Sequence, residues 1–162
     1  MRFLTITALL AFLSTGEAYA QPAIDSTLVE VTALAERPAQ VGPADLFTGT
    51  ALIYPLFDPS GARTFGAADV TFFPGARTNW HTHPAGQTLV VTEGVGWVQA
   101  RGGERREIRA GDVVWTPPGV EHWHGGTADH AMTHTALQGA VDGEVVNWLG
   151  PVSDAEYDNS ND

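Results

Sequence analysis

Along most of this chain the apolar residues come in short runs rather than at helical spacing. Phe47 to Phe57 is one run, closed by Asp58-Pro59-Ser60-Gly61, whose Asp, Pro and Gly are turn formers. Further runs follow at Val70 to Phe73, Thr88 to Thr92, Trp97 to Ala100, Arg105 to Arg109, Val113 to Thr116, His122 to His124, Ala131 to Gln138 and Glu144 to Trp148. Each is rich in β-branched and aromatic side chains, and they are separated by PG, GG, AGD, PPG and DG. Such spacing predicts strands of an all-β sandwich or barrel. Another strand is predicted at Leu28 to Thr32, in a mixed segment with prolines at 22, 38 and 43. Ser153, followed three residues later by Glu156, predicts an N-cap and a single helical turn.

The first twenty residues follow another pattern. Arg2 supplies a positive end, Phe3 to Leu13 an apolar stretch, and Ala18-Tyr19-Ala20 a small-x-small cleavage site before Gln21. That stretch falls short of the roughly 20 apolar residues that span a bilayer. The expected organisation is a signal peptide over 1–20, an arm over 21–43 that wraps the domain or pairs with a neighbour, one domain over 44–157 and a disordered tail over 158–162. A periplasmic or secreted protein is the expectation.

Composition narrows the chemistry. The 162 residues suffice for one domain with a real core. A formal net charge of −11 argues against nucleic-acid binding, which needs a concentrated basic face. All eight basic residues are arginines and there is no cysteine, so Schiff-base lysines, thiol nucleophiles and disulfides are excluded.

What remains is histidine. All six histidines lie between positions 81 and 134. Alternate side chains of a strand share a face, so His81 and His83 project together, as do His122 and His124. Gln87 follows His83 after Pro84-Ala85-Gly86, a bend expected to return the next strand alongside the first and bring the amide oxygen to the same point. With His122 these residues make a candidate metal site. His130, after Thr127-Ala128-Asp129, is expected to be a plain loop residue.

The pattern Gly75-x5-His81-x-His83-x3-Gln87-x6-Gly94, then Gly111-x5-Pro117-x-Gly119-x2-His122, resembles the two motifs of the cupin superfamily. Cupins are single-domain double-stranded β-helix, or jelly-roll, barrels that hold one metal near the centre. Here Gln87 stands in place of the usual glutamate, and Gly126 where an asparagine often closes the second motif. From Pro43 to Tyr157 the stretches PADLFTGT, PGARTNWHTHPAGQTLVVTEGVGWVQ, GDVVWTPPGVEHWHG, AMTHTALQ and DGEVVNW are similar to the bacterial cupin group that includes manganese-dependent (R)-selective hydroxynitrile lyases. That resemblance implies a metal on His81, His83, Gln87 and His122, a reacting pocket lined by His134 with Thr78 and Gln138, and His124 close by. It implies cleavage or formation of cyanohydrins, mandelonitrile giving benzaldehyde and HCN. The export signal is a departure from that group.

Three neutral imidazoles and an amide leave a divalent ion its full charge, which favours Lewis-acid work. Mn2+ or Fe2+ is the first expectation, with Zn2+ also compatible. A general base near neutral pKa is then required. Glu93, Glu121 and Asp112 occupy turn-like or outward-facing positions, which leaves histidine, and Met132, His134, Ala136 and Gln138 share one face of an alternating run. His134 is the expected base and Gln138 a donor to departing cyanide. Ala68, Val70 and Phe72 also alternate and are expected near the pocket mouth. Trp80, Trp97, Trp115, Trp123 and Trp148 permit an apolar aryl pocket, with core or subunit-interface positions the preferred expectation for them. Competing readings are an iron-dependent cupin dioxygenase and a non-catalytic periplasmic small-ligand-binding protein. The expected partners are an aromatic aldehyde or cyanohydrin and further copies of the chain in a homodimer or homotetramer.

Overall fold

The structure, a computed structural model, describes residues 29–159. The expected signal peptide therefore lies outside the described residues, as do residues 21–28 of the arm and the last three positions of the tail. From Thr32 onward the chain forms one compact unit. It is nearly all β, a curled antiparallel sheet that encloses the core and every histidine except His130.

In chain order the strands are β1 (Gln40–Val41), β2 (Phe47–Thr48), β3 (Ala51–Phe57), β4 (Phe65–Phe72), β5 (Arg77–Thr78) and β6 (His81–Thr82). They continue with β7 (Gln87–Ala100), β8 (Arg106–Arg109), β9 (Val113–Thr116), β10 (His122–Gly126), β11 (Met132–Gly139) and β12 (Asn147–Trp148), before the short helix α1 (Asp154–Asp158). The main order is β1-β3-β4-β11-β7-β10-β5-β2; β8 and β9 also pair with β7, and β6 lies between β10 and β12.

Strand β7 joins the two halves. Its first part, from Gln87, pairs with β9 and β11; its second part, from Val95 to Ala100, pairs with β8 and β10. The sequence runs Thr88–Thr92 and Trp97–Ala100 are thus one continuous strand, bent where Gly94 adopts φ +75°. In contrast, the run from Phe47 to Phe57 is split in two. Gly49, at φ +76° against the Ala76 backbone, turns β2 onto β5 and β3 onto β4. The strand expected at Leu28 to Thr32 is not formed over Val29 to Thr32, which have no strand partner. The run Glu144–Trp148 keeps strand geometry only at Asn147–Trp148, after a turn closed by the Val141–Glu144 bridge. The arm does contribute β1, which pairs with the edge of β3.

One apolar cluster, built around Phe47, Phe72, Val91 and Met132, fills the space between the sheet halves. A second, of Trp80, Trp123, Val152 and Tyr157, lies beneath α1. The helical turn has the capping box expected for it: Glu156 N donates to Ser153 Oγ at 3.2 Å, and Ser153 N donates to Glu156 Oε2 at 2.8 Å. No described helix is long and apolar enough to cross a membrane.

The bend in β7 has little room for substitution. A Cβ at Gly94 would collide with the Ala131 carbonyl oxygen, which is already held at 3.1 Å by the Val95 N–H. Left-handed strain would be added to that clash. We expect Gly94→Ala to destabilise the protein by about 2–4 kcal/mol, read as a lowered urea midpoint. An unchanged midpoint would show that the bend does not need glycine.

Candidate metal centre and adjoining pocket

Short elements gather the first motif and the second around one point. His81 opens β6 and pairs directly with His122 at the start of β10. His83 follows β6 by one residue, and its carbonyl accepts the N–H groups of Gly86 at 3.2 Å and Gly119 at 3.0 Å, tying the two motif turns together. The Pro84-Ala85-Gly86 bend does not return the next strand alongside β6, as expected from the sequence. Instead it carries the chain across to the other half of the sheet, where Gln87 pairs with Thr116 and Gln138. The amide thus approaches the imidazoles from the opposite wall.

His81, His83 and His122 are buried and offer one ring nitrogen each within 4.8 Å of one another. Their other nitrogens are occupied. Nδ1 of His81 meets the Asn79 carbonyl at 3.0 Å, Nδ1 of His83 the Val145 carbonyl at 2.6 Å, and Nδ1 of His122 the Val120 carbonyl at 3.0 Å. A carbonyl only accepts, so each Nδ1 carries the proton and each Nε2 keeps a lone pair. This is the arrangement that orients histidines toward a metal. His122 Nε2 stands 3.1 Å from Gln87 Oε1, two acceptors facing each other in a buried setting. Among the described residues His83 Nε2 has no hydrogen-bond partner. Buried lone pairs that repel one another and lack donors are a poor arrangement for bare protein and a good one for a divalent cation.

Beside this centre lies a second histidine pair. His134 Nε2 is 3.2 Å from His124 Nδ1, and both rings are buried against Phe72. His124 Nε2, His134 Nδ1 and Gln138 Oε1 are buried without hydrogen-bond partners among the described residues. Thr78 Oγ1 accepts the His124 backbone N–H at 3.3 Å. These groups and His81, His83 and Gln87 line a cavity of about 150 Å³. Its other walls are apolar and come from Phe47, Ile53, Ala68, Val70, Phe72, Ala136, Val146 and Trp148. Ala68, Val70 and Phe72 are therefore where their alternation put them. A cavity of this size can take a benzene-sized ring. Of two wider depressions, one of about 290 Å³ beside Ile108 and Trp115 is lined by no histidine and one of about 300 Å³ beside Pro117 and Val120 by His122 alone, so the histidines converge on the smaller cavity.

The remaining expectations resolve simply. His130 is an exposed loop residue whose ring contacts Thr127 Oγ1. Glu93 and Asp112 face outward, and Glu121 pairs with Arg101 at the surface. Trp80 and Trp123 are core residues, Trp115 is exposed, and Trp148 is the tryptophan that reaches the cavity. Sequence reasoning missed Phe47, Ile53 and Val146 as pocket walls, and the carbonyls of Asn79, Val120 and Val145. The former are marked only by being apolar; the latter are backbone and leave no trace in residue identity.

This curled antiparallel sheet with convergent imidazoles is the architecture of a cupin. The cupin domain model matches residues 68–135, and the chain belongs to the cupin family. The (R)-mandelonitrile lyase of Granulicella tundricola is 50% identical over 129 residues, covering 80% of this chain and 98% of that relative. A cupin-like protein from Thermotoga maritima has a similar solved structure, with 42% identity, a TM-score of 0.72, and coverage of 76% of this chain and 93% of that one. The polyketide cyclase RemF from Streptomyces resistomycificus shares the fold at 18% identity and a TM-score of 0.63, over 82% of this chain and 93% of its own.

Burial decides the charge of the cluster. It pushes His122 and His134 from 6.5 down to about 4 and holds His83 lower than 6.5. It also holds His81 and His124 well below 6.5, with neighbouring imidazoles adding to the effect. The folded protein therefore refuses protons that the unfolded chain accepts below pH 6.5. The stability from these neutral rings is full above pH 6.5 and is lost as pH falls toward about 4. For metal-free protein we expect the urea midpoint to decline through this window, by up to about 1.4 kcal/mol per pH unit for each histidine. A flat midpoint would show that the rings are not held neutral.

Proposed function

We propose that this chain is a metal-dependent lyase that cleaves or forms cyanohydrins of aromatic aldehydes, with mandelonitrile as the model substrate and (R) selectivity. The observation that carries this reading is the placement of a buried, neutral histidine pair against an aromatic-sized cavity that His81 and His83 of the three-imidazole cluster also line. The relative named (R)-mandelonitrile lyase, half identical over nearly its whole length, supports the substrate class.

His81, His83, His122 and Gln87 would hold the cation, Mn2+ in the first instance, with Fe2+ or Zn2+ as alternatives. Bound there, it supplies Lewis-acid charge for the developing aldehyde oxygen and the departing anion. The protein does the rest. Apolar walls from Val70, Phe72 and Trp148 seat the aryl ring and exclude water. His134, whose pKa burial holds at about 4 and so below the near-neutral base expected from the sequence, would take the hydroxyl proton; the O–H electrons form the C=O bond, and the C–CN electron pair leaves with cyanide. The 3.2 Å contact to His124 spreads the proton's charge over two rings. Gln138, across from Gln87 in the β11–β7 pairing, presents an amide able to donate to cyanide. The imidazolium then returns the proton to cyanide as HCN, and the base is regenerated.

Purified protein should release cyanide from (R)-mandelonitrile, lose that activity on chelation and recover it with Mn2+. His122→Ala should not retain stoichiometric metal. His134→Ala should retain metal while its kcat falls by about 10²–10⁴. Undiminished turnover in stripped protein, or in His134→Ala, would sink the assignment.

A further inference from the structure

The segment after β11 crosses back over the metal centre as a strap, and it lies beyond the residues 68–135 that match the cupin domain model. The strap touches the first motif at five points. The Val145 carbonyl meets His83 Nδ1 at 2.6 Å. Asn147 and Trp148 pair with Thr82 and His81. Leu149 N donates to the Trp80 carbonyl at 2.9 Å, and Trp80 N donates to the Gly150 carbonyl at 3.1 Å. The group that orients His83 is therefore a backbone carbonyl 62 positions away in the chain, and only the position of the strap keeps it there.

A two-residue pairing is a weak hold for that duty. The anchor lies further on. Arg77, on β5, is buried, with its side chain 6% exposed. Its Nε and Nη2 both donate to the Val152 carbonyl, at 3.2 and 3.0 Å, and Nη2 also reaches Asp154 Oδ1 at 2.6 Å. The guanidinium lies 4.5 Å from the centroid of the Tyr157 ring, and Tyr157 Oη donates to the Gly126 carbonyl at 2.9 Å. Asp154 is almost fully exposed, so its ion pair is screened by water, and the fork onto Val152 with the stacked ring is the part that holds.

We propose that Arg77 is a positioning residue for the metal centre: by clamping the strap at Val152 and Tyr157 it keeps the Val145 carbonyl on His83 and fixes that ring with Nε2 turned inward. Its effect on metal retention rests on the lyase reading above; its effect on His83 does not. The mechanical chain is short. Releasing Val152 frees Gly150 and Leu149 from Trp80, and with them the strap that carries Val145.

The test uses the full chain with Arg77→Met, which keeps length and apolar bulk but removes the fork, and with Arg77→Lys, which keeps the charge alone. Nitrogen NMR of the metal-free proteins should find His83 as the Nδ1–H tautomer in wild type and as a mixture in Arg77→Met. Amide exchange at Leu149 and Trp80 should rise about tenfold in Arg77→Met, while amides in the β7–β11 pairing keep their rates. Arg77→Lys should fall between. A merely structural role would lower the unfolding midpoint and leave the His83 tautomer unchanged. Loaded with Mn2+ and challenged with excess chelator, Arg77→Met should release the ion about tenfold faster than wild type. Wild type that takes up no Mn2+ would overturn the lyase reading, and the clamp would still stand or fall on the tautomer measurement. An unchanged His83 tautomer in Arg77→Met would overturn the proposal, whether or not Leu149 exchange rises. If Arg77→Met does not fold, Tyr157→Phe, which keeps the ring and removes only the bond to Gly126, should move the same two readouts by about threefold, and an unchanged His83 tautomer would overturn it.

Discussion

Everything at the centre of this protein depends on three backbone carbonyls, those of Asn79, Val120 and Val145, each accepting a proton from Nδ1 of a buried imidazole. An imidazole in bulk water is free to turn and to exchange tautomers. Buried, it must satisfy its N–H, and a fixed carbonyl does so in one orientation only. The opposite nitrogen is then committed as an acceptor. Three such commitments within 4.8 Å, with Gln87 Oε1 facing one of them, leave a cluster of lone pairs that could hold a metal ion. A carboxylate at Gln87 would cancel part of a bound ion's charge, whereas the amide leaves it whole.

The same burial keeps the neighbouring histidine pair neutral. His134 and His124 are fully enclosed, and desolvation keeps them uncharged at neutral pH. A neutral imidazole that is buried yet lines a cavity can take up a proton during a reaction, because it does not already hold one. The two histidine groups share one desolvated space but differ in their partners. Backbone carbonyls hold the first three rings, while the second pair lean on each other and on Phe72. Oriented rings suit ligation, and the mutually bonded pair suits proton transfer.

The fold delivers these groups by curling one sheet around them. Gly94 bends β7 so that a single strand serves both halves, and Gly49 sends β2 and β3 to different neighbours. The Pro84-Ala85-Gly86 turn carries Gln87 to the wall opposite His81, so the candidate ligands surround a point instead of lining a face. The strap from Val145 to Tyr157 closes the remaining side, supplying one of the three carbonyls and two walls of the cavity.

The chain's β character, most of its strands, the capped turn at Ser153 and the pairing of histidines on common faces were all legible in the sequence. They rest on local rules: the alternation of side chains along a strand, the turn preference of glycine and proline, and the capping preference of serine. Local rules also placed Ala68, Val70 and Phe72 on one face and His134 in line with Gln138. They failed where a run had to be cut or joined, at Gly49 and Gly94, because a bend is decided by what the glycine packs against and not by its neighbours in the chain. Only the tertiary structure decided which wall Gln87 occupies, which tryptophan reaches the cavity, and which carbonyl faces each imidazole. A carbonyl belongs to every residue alike, so its partner is set by long-range packing and leaves no mark in the order of side chains.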